Sequence, residues 1–89
     1  MTTLDRILNA VCEVMELESD KVLSKRRINE TYQLARVIFC RIAYEHSIPT
    51  NGICTKINRC PQNVHHNIYK GKGAGWEYEN TMREVRKRI

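Results

Sequence analysis

Cys54, Cys60, His65 and His66 lie close together in the chain, and thiolates with imidazoles are a zinc-binding combination. Their spacing argues against that use. Structural zinc pairs its ligands across gaps of roughly two to four residues, and the step from Cys54 to Cys60 is wider. On a helix, adjacent His65 and His66 point about 100° apart and rarely reach one ion. No metal is expected. Cys60 and His65 also have the types of a thiolate nucleophile and its base, favoured by a helix N-terminus. Neither a glycine-rich oxyanion element nor a partnered carboxylate accompanies them, and the acids cluster instead in residues 1–20. An enzyme is not expected. Gln62 and Asn63 point to a third chemistry. A side-chain amide can donate to N7 of adenine and accept from its N6 amino group, which reads a base from the major groove.

Charge supports that third option. Ten of the fifteen Lys and Arg residues lie between Lys21 and Lys72, a span whose acids are Glu30 and Glu45. The overall +5 is therefore a middle of +8 between ends of −4 and +1. Positive charge gathered on a small helical unit is the footprint of a phosphate-backbone binder. Within it, Ser24-Lys25-Arg26-Arg27 reads as a basic loop, with Arg26 and Arg27 suited to phosphates or a narrow minor groove. The run Arg83-Glu84-Val85-Arg86-Lys87-Arg88 reads as a solvated helix face.

These residues need elements to position them. Eighty-nine residues, 42% apolar and 28% charged, fit one domain over 1–89 with a single core. Leu4, Ile7, Leu8, Val11, Val14 and Met15 predict a helix capped by Thr3 and running to about residue 17. Its opposite face, with Asp5, Arg6, Asn9, Glu13 and Glu16, should be solvated. Ser19 or Asp20 starts a short turn of helix carrying Val22 and Leu23. A long helix follows from about residue 29 to 46, with Leu34, Val37, Ile38, Ile42 and Ala43 inward. Breaking signals at Ile48-Pro49-Thr50-Asn51-Gly52 precede a short helix over 52–57 that buries Ile53 and Ile57. Asn58-Arg59-Cys60 makes a tight turn, and Pro61 opens a helix to residue 70 with Val64 and Ile68 inward. A glycine-rich loop over 71–75 leads to a last helix over 76–89, with Tyr78, Met82, Val85 and Ile89 at core spacing. Trp76 and Tyr78 are assigned to the core.

No strand pattern is visible. The prediction is an all-α bundle of about five helices containing a helix-turn-helix. In that motif the second helix enters the major groove by its N-terminal residues. Here they are Pro61, Gln62 and Asn63, with His66 and Lys70 further along the same face.

Three stretches then resemble the C-terminal DNA-binding domain of the bacterial replication initiator DnaA, a helix-turn-helix of the Trp-repressor-like type. Leu23-Ser24-Lys25-Arg26-Arg27 is similar to that family's basic loop. Ala35-Arg36-Val37-Ile38 through Ile42-Ala43 is similar to its long helix with an arginine. Asn58-Arg59-Cys60-Pro61-Gln62-Asn63-Val64-His65-His66 aligns with its signature Gly-Arg-Asp-His-Thr-Thr-Val-Leu-His, where Arg59, Val64 and His66 match outright. The resemblance covers most of the chain. It implies duplex DNA as partner, with Lys25, Arg26, Arg27, Arg59, Gln62, Asn63, His66 and Lys70 as the contacting residues, and a role in replication or its regulation. Cys60 and Pro61 replace an aspartate and a histidine that read the family's origin box, so a different site is expected.

No counterpart of the family's ATPase module is expected, since the resemblance starts near Met1. Residues 71–75 lack the Gly-x-x-x-x-Gly-Lys-Ser/Thr spacing and follow a helix where a strand is required. A stand-alone, accessory copy without a nucleotide cofactor is the expectation. No apolar run nears the roughly 18 residues of a membrane span, and the start lacks the order of a secretory signal. A cytoplasmic setting with reduced, mostly buried cysteines is expected. The rival readings are a protein-interaction module that kept the fold but lost base reading, and a zinc-stabilised RNA binder.

Overall fold

From Ala35 to Ala43 only Arg36 and Arg41 are strongly polar, a composition that suits burial on every side of a helix. In the computed structural model, which describes residues 2–23, 30–57, 59, 61–69 and 76–89, this run is the middle of α3 (Glu30–Glu45). The side chains of Glu30, Trp76 and Glu77 lie outside that description. Around α3 pack α1 (Thr3–Met15), α2 (Ser19–Leu23), α4 (Thr50–Ile57), α5 (Pro61–Tyr69) and α6 (Trp76–Lys87), and α3 touches all five. The protein is all-α: the described residues form six helices and no strand, the short segment after α1 being a helix in its own right. None of them is long and apolar enough to cross a membrane.

The core follows the sequence periodicity closely. Ile7, Val11, Val22, Ile38, Phe39, Ile42, Ile53, Ile57, Val64 and Val85 are fully buried. Each such side chain contributes about 1.5–3 kcal/mol on leaving water. Leu4, Val14, Met15, Leu34 and Ile89 pack against this core only partly buried. Tyr78 is in it; Trp76 lies outside the described side chains.

Several boundaries differ from the sequence reading for identifiable reasons. Thr2, not Thr3, caps α1: its hydroxyl accepts from the Asp5 N–H at 3.1 Å, and Asp5 Oδ2 accepts from the Thr2 N–H at 3.1 Å. This capping box satisfies donors that the first helical turn leaves open. α1 stops at Met15 because Glu16 turns left-handed (φ 55°) and the Leu17 N–H donates back to the Cys12 carbonyl at 2.9 Å. α3 ends the same way, with Ser47 at φ 61° and the Ile48 N–H donating to the Ala43 carbonyl at 3.2 Å. Both are Schellman-type ends closed by an apolar residue. α4 begins at Thr50 rather than Gly52, since the Pro49 carbonyl accepts from the Gly52 and Ile53 N–H groups at 3.0 and 3.2 Å. Gly52 is an ordinary helical residue, and the breaking signal belonged to Ile48 and Pro49.

Cys12 and Cys54 are half-buried and Cys40 is buried, all three as thiols. Burial pushes the Cys12 thiol up and takes that of Cys40 to about 12, so neither is a nucleophile at neutral pH.

Candidate nucleic-acid interface

α5 sits on α3 and α4 through a narrow seam. Val64, Asn67 and Ile68 are buried, whereas Pro61, Gln62, Asn63, His65, His66 and Tyr69 are exposed. Two-thirds of the helix surface therefore faces outward, which is how a helix must be held if it is to enter a groove. Gln62, His66 and Tyr69 run down one side at three- and four-residue steps, joined by His65. An open groove of about 430 Å³ is lined by Pro61, Gln62, His65 and His66.

Two arginines of α3 fix what flanks this face. Arg36, 2% exposed, donates from Nε to the Val22 carbonyl at 2.9 Å and from Nη2 to the Lys21 carbonyl at 3.3 Å. It thereby satisfies the last carbonyls of α2, immediately before the basic segment. Burial, and then the charge of Arg59, lower its pKa. Arg41 donates from Nε to the Asn67 carbonyl at 3.2 Å and from Nη1 to the Tyr78 hydroxyl at 2.6 Å, with its guanidinium carbon 5.1 Å from the Tyr78 ring centre. It ties the last turn of α5 to α6. Both arginines terminate helices whose end carbonyls lack intrahelical partners.

Asn67 links the face to the core. Its Nδ2 donates to Asn63 Oδ1 at 3.3 Å and lies 3.8 Å from Cys40 Sγ, while its own Oδ1 is buried without a hydrogen-bond partner among the described residues. Asn63 is thus oriented from within. Its NH2 group, with no partner among the described residues, is left to face an acceptor outside.

Of the residues singled out in the sequence, Gln62, Asn63 and His66 come together on the exposed face of α5. Arg59 is half-buried in the α4–α5 turn, where its N–H donates to the Cys54 carbonyl at 3.2 Å and its charge bears on Arg36 and Cys40. Lys25, Arg26, Arg27, Lys70 and Cys60, and the loop over 71–75, lie outside the described residues. Among the described residues no three His, Cys, Asp or Glu side chains gather as a metal site.

No family model matches the chain, and no curated protein or solved structure matches it. The surface has to be read from its own chemistry.

Here the carboxylates are informative. No Asp or Glu occurs between Glu45 and Glu77, a stretch holding all three histidines with Lys56, Arg59, Lys70 and Lys72. Lys56 is not available to a ligand, because it pairs with Asp5 across α4 and α1. That bond, then the Thr2 N–H and hydroxyl, pull the Asp5 carboxyl down to about 2. Asp5 is accordingly a partnered residue and not part of a bare solvated face.

The sequence reading missed two residues, one on α5 and one beside it. Tyr44 of α3 and Tyr69 are 47% and 53% exposed, their hydroxyls bonded at 2.9 Å and their rings edge-to-face at 5.6 Å. The His65 ring lies 4.4 Å from that of Tyr69. The bond to Tyr44 raises the Tyr69 pKa, so the phenol stays neutral. A signal existed: His65 and Tyr69 are four apart, and Tyr44 falls off the apolar period of α3.

Proposed function

We propose that this protein binds double-stranded DNA through a helix-turn-helix formed by α4 and α5, with α5 in the major groove. The observation that carries this reading is the exposed face of α5. It is rich in amides and imidazoles, set in an acid-free stretch, and held by a seam of three buried residues. Gln62 and Asn63 occupy the turn of a recognition helix that comes nearest to base edges. His66 adds a further donor or acceptor, and Lys25, Arg26, Arg27, Arg59 and Lys70 supply backbone or minor-groove contacts in this scheme. The resemblance to the DnaA C-terminal domain, of Trp-repressor-like type, directs the reading to replication or its control, at a site other than the initiator's box.

Selection of bound duplexes from a random pool tests it, followed by titration of the selected site. Gln62→Ala and Asn63→Ala should each relax preference at one or two positions by about 1–3 kcal/mol. Lys25→Ala/Arg26→Ala/Arg27→Ala should weaken all duplexes alike and flatten the salt slope by about 0.9 per lost phosphate contact. Failure to enrich any duplex would transfer the surface to a protein partner.

A further inference from the structure

We infer that Tyr44, Tyr69 and His65 form a stacking platform for unpaired nucleobases of a single strand, at the C-terminal end of α5. Three observations converge on it. Both tyrosines are about half exposed although aromatic rings ordinarily gain by burial, and nothing in the described core needs them there. Their mutual hydroxyl bond and edge-to-face packing, with His65 against Tyr69, hold the rings in place, so a base meets a preformed surface. The neighbouring chain is poor in free acid: residues 46–76 contain no carboxylate, and Glu45, next to Tyr44, is bound by Arg86 at 2.5 Å.

The chemistry follows from these features. Every base has a flat face, so stacking on Tyr or His tolerates any sequence, while cations nearby track the backbone. The hydroxyl pair holds two protons and uses one between its oxygens, which leaves one to donate to a phosphate oxygen or a base edge. The groove beside His65, lined by Pro61, Gln62 and His66, continues the surface along α5 toward its N-terminus. A duplex hides base faces in its own stack, so this platform does not serve duplex reading. The two proposals stand or fall separately.

The test uses the full chain and fluorescence anisotropy with labelled oligo-dT, oligo-rU, an abasic strand of the same length, and a duplex. Wild-type protein should bind both single strands more tightly than the abasic strand. Tyr69→Ala should weaken oligo-dT and oligo-rU by about 5–150-fold, the range for one lost base–aromatic stack. The abasic strand should change less than twofold. Tyr69→Phe should stay within about threefold of wild type, because the ring face remains. Tyr69→Leu keeps the bulk without the π face and should behave like Tyr69→Ala, which separates stacking from any loss of fold. A preference of oligo-dT over oligo-rU, or the reverse, assigns the source of the strand. Equal losses on the abasic strand, an unchanged Tyr69→Ala protein, or wild-type binding that ignores bases would each overturn the inference. Loss confined to the duplex would do the same and would place the tyrosines in groove binding.

Discussion

α6 and α5 make opposite use of the surface. The end of α6 is the denser in cations, with Arg83, Arg86, Lys87 and, just past it, Arg88 in six residues, yet three of these are engaged. Arg86 meets Glu45 in a two-pronged pair at 3.1 and 2.5 Å, Lys87 meets Glu84 at 3.5 Å, and Arg88 meets Glu13 at 3.4 Å. Glu45 in turn raises the Arg86 pKa. α5 carries fewer charges but has its amides and imidazoles turned outward in a stretch without acids. Cation density alone therefore does not mark an open surface: the charges at the end of α6 are largely partnered, whereas the polar groups of α5 face outward. Arg86 and Arg88 clamp the end of α6 to α3 and α1, and α5 is the surface proposed to take a ligand.

The largest effect is expected where the two regions are joined. Arg41→Met removes the donor shared by the Asn67 carbonyl and Tyr78 hydroxyl, and should lower stability by about 1.5–3 kcal/mol, as for a hydrogen-bonded charge. Urea denaturation measures it. A loss under about 0.5 kcal/mol would mean that α5 and α6 do not depend on this joint.

Next comes a direct contrast between the surfaces. Arg86→Ala/Arg88→Ala should cost about 0.2–1 kcal/mol of stability per exposed pair while changing duplex affinity less than about twofold. Gln62→Ala, at an exposed residue, should do the reverse. A tenfold loss of affinity in the α6 variant would break the comparison, since those cations would then reach phosphate in spite of their partners.

A smaller effect concerns Lys56 of α4, a cation committed to Asp5. Asp5 has a folded-state pKa of about 2 against an ordinary 3.8. A depressed carboxyl stabilises the fold above the ordinary value, and that contribution fades as pH falls through about 2. Lys56→Met should raise the Asp5 pKa in an NMR titration and leave less stability to lose on acidification. An Asp5 that titrates near 3.8 in the wild type would release Lys56 to the ligand-facing charge.

Much of the fold was legible because the apolar spacing in α1, α5 and α6 matches what is buried: Ile7, Val11, Val64, Ile68, Tyr78, Met82 and Val85 all point inward. α3 was legible only in part. A helix touched on all sides has no polar face to mark its period, so Tyr32 and Phe39 escaped notice, as did the inward course of Arg36, although Cys40 was expected inside. At the candidate site, Gln62, Asn63 and His66 were found by their place behind Pro61 at a helix start. Arg41, Asn67 and the tyrosine pair were not, because their roles depend on contacts between residues far apart in the chain. The Thr2 cap was misplaced by one residue because two threonines stand side by side and only the reach of Asp5 chooses between them.

A separate effect lies outside both surfaces, at the left-handed end of α3. Ser47→Gly should stabilise the protein by about 1 kcal/mol, since glycine lacks the Cβ that makes φ 61° costly. Thermal melts would show it, and a destabilised variant would mean that the Ser47 side chain contributes to the turn.

One consequence of α3 touching every other helix is kinetic and cooperative. No helix can detach without baring part of α3, and no pair of outer helices completes a core in its absence. The backbone amides around Phe39 should then exchange with deuterium only when the whole molecule opens, at the rate of global unfolding. Those at the α2 terminus and along the outer face of α5 should exchange through smaller local openings. The axis of this protein lies in its middle third, and the proposed binding surface hangs from it.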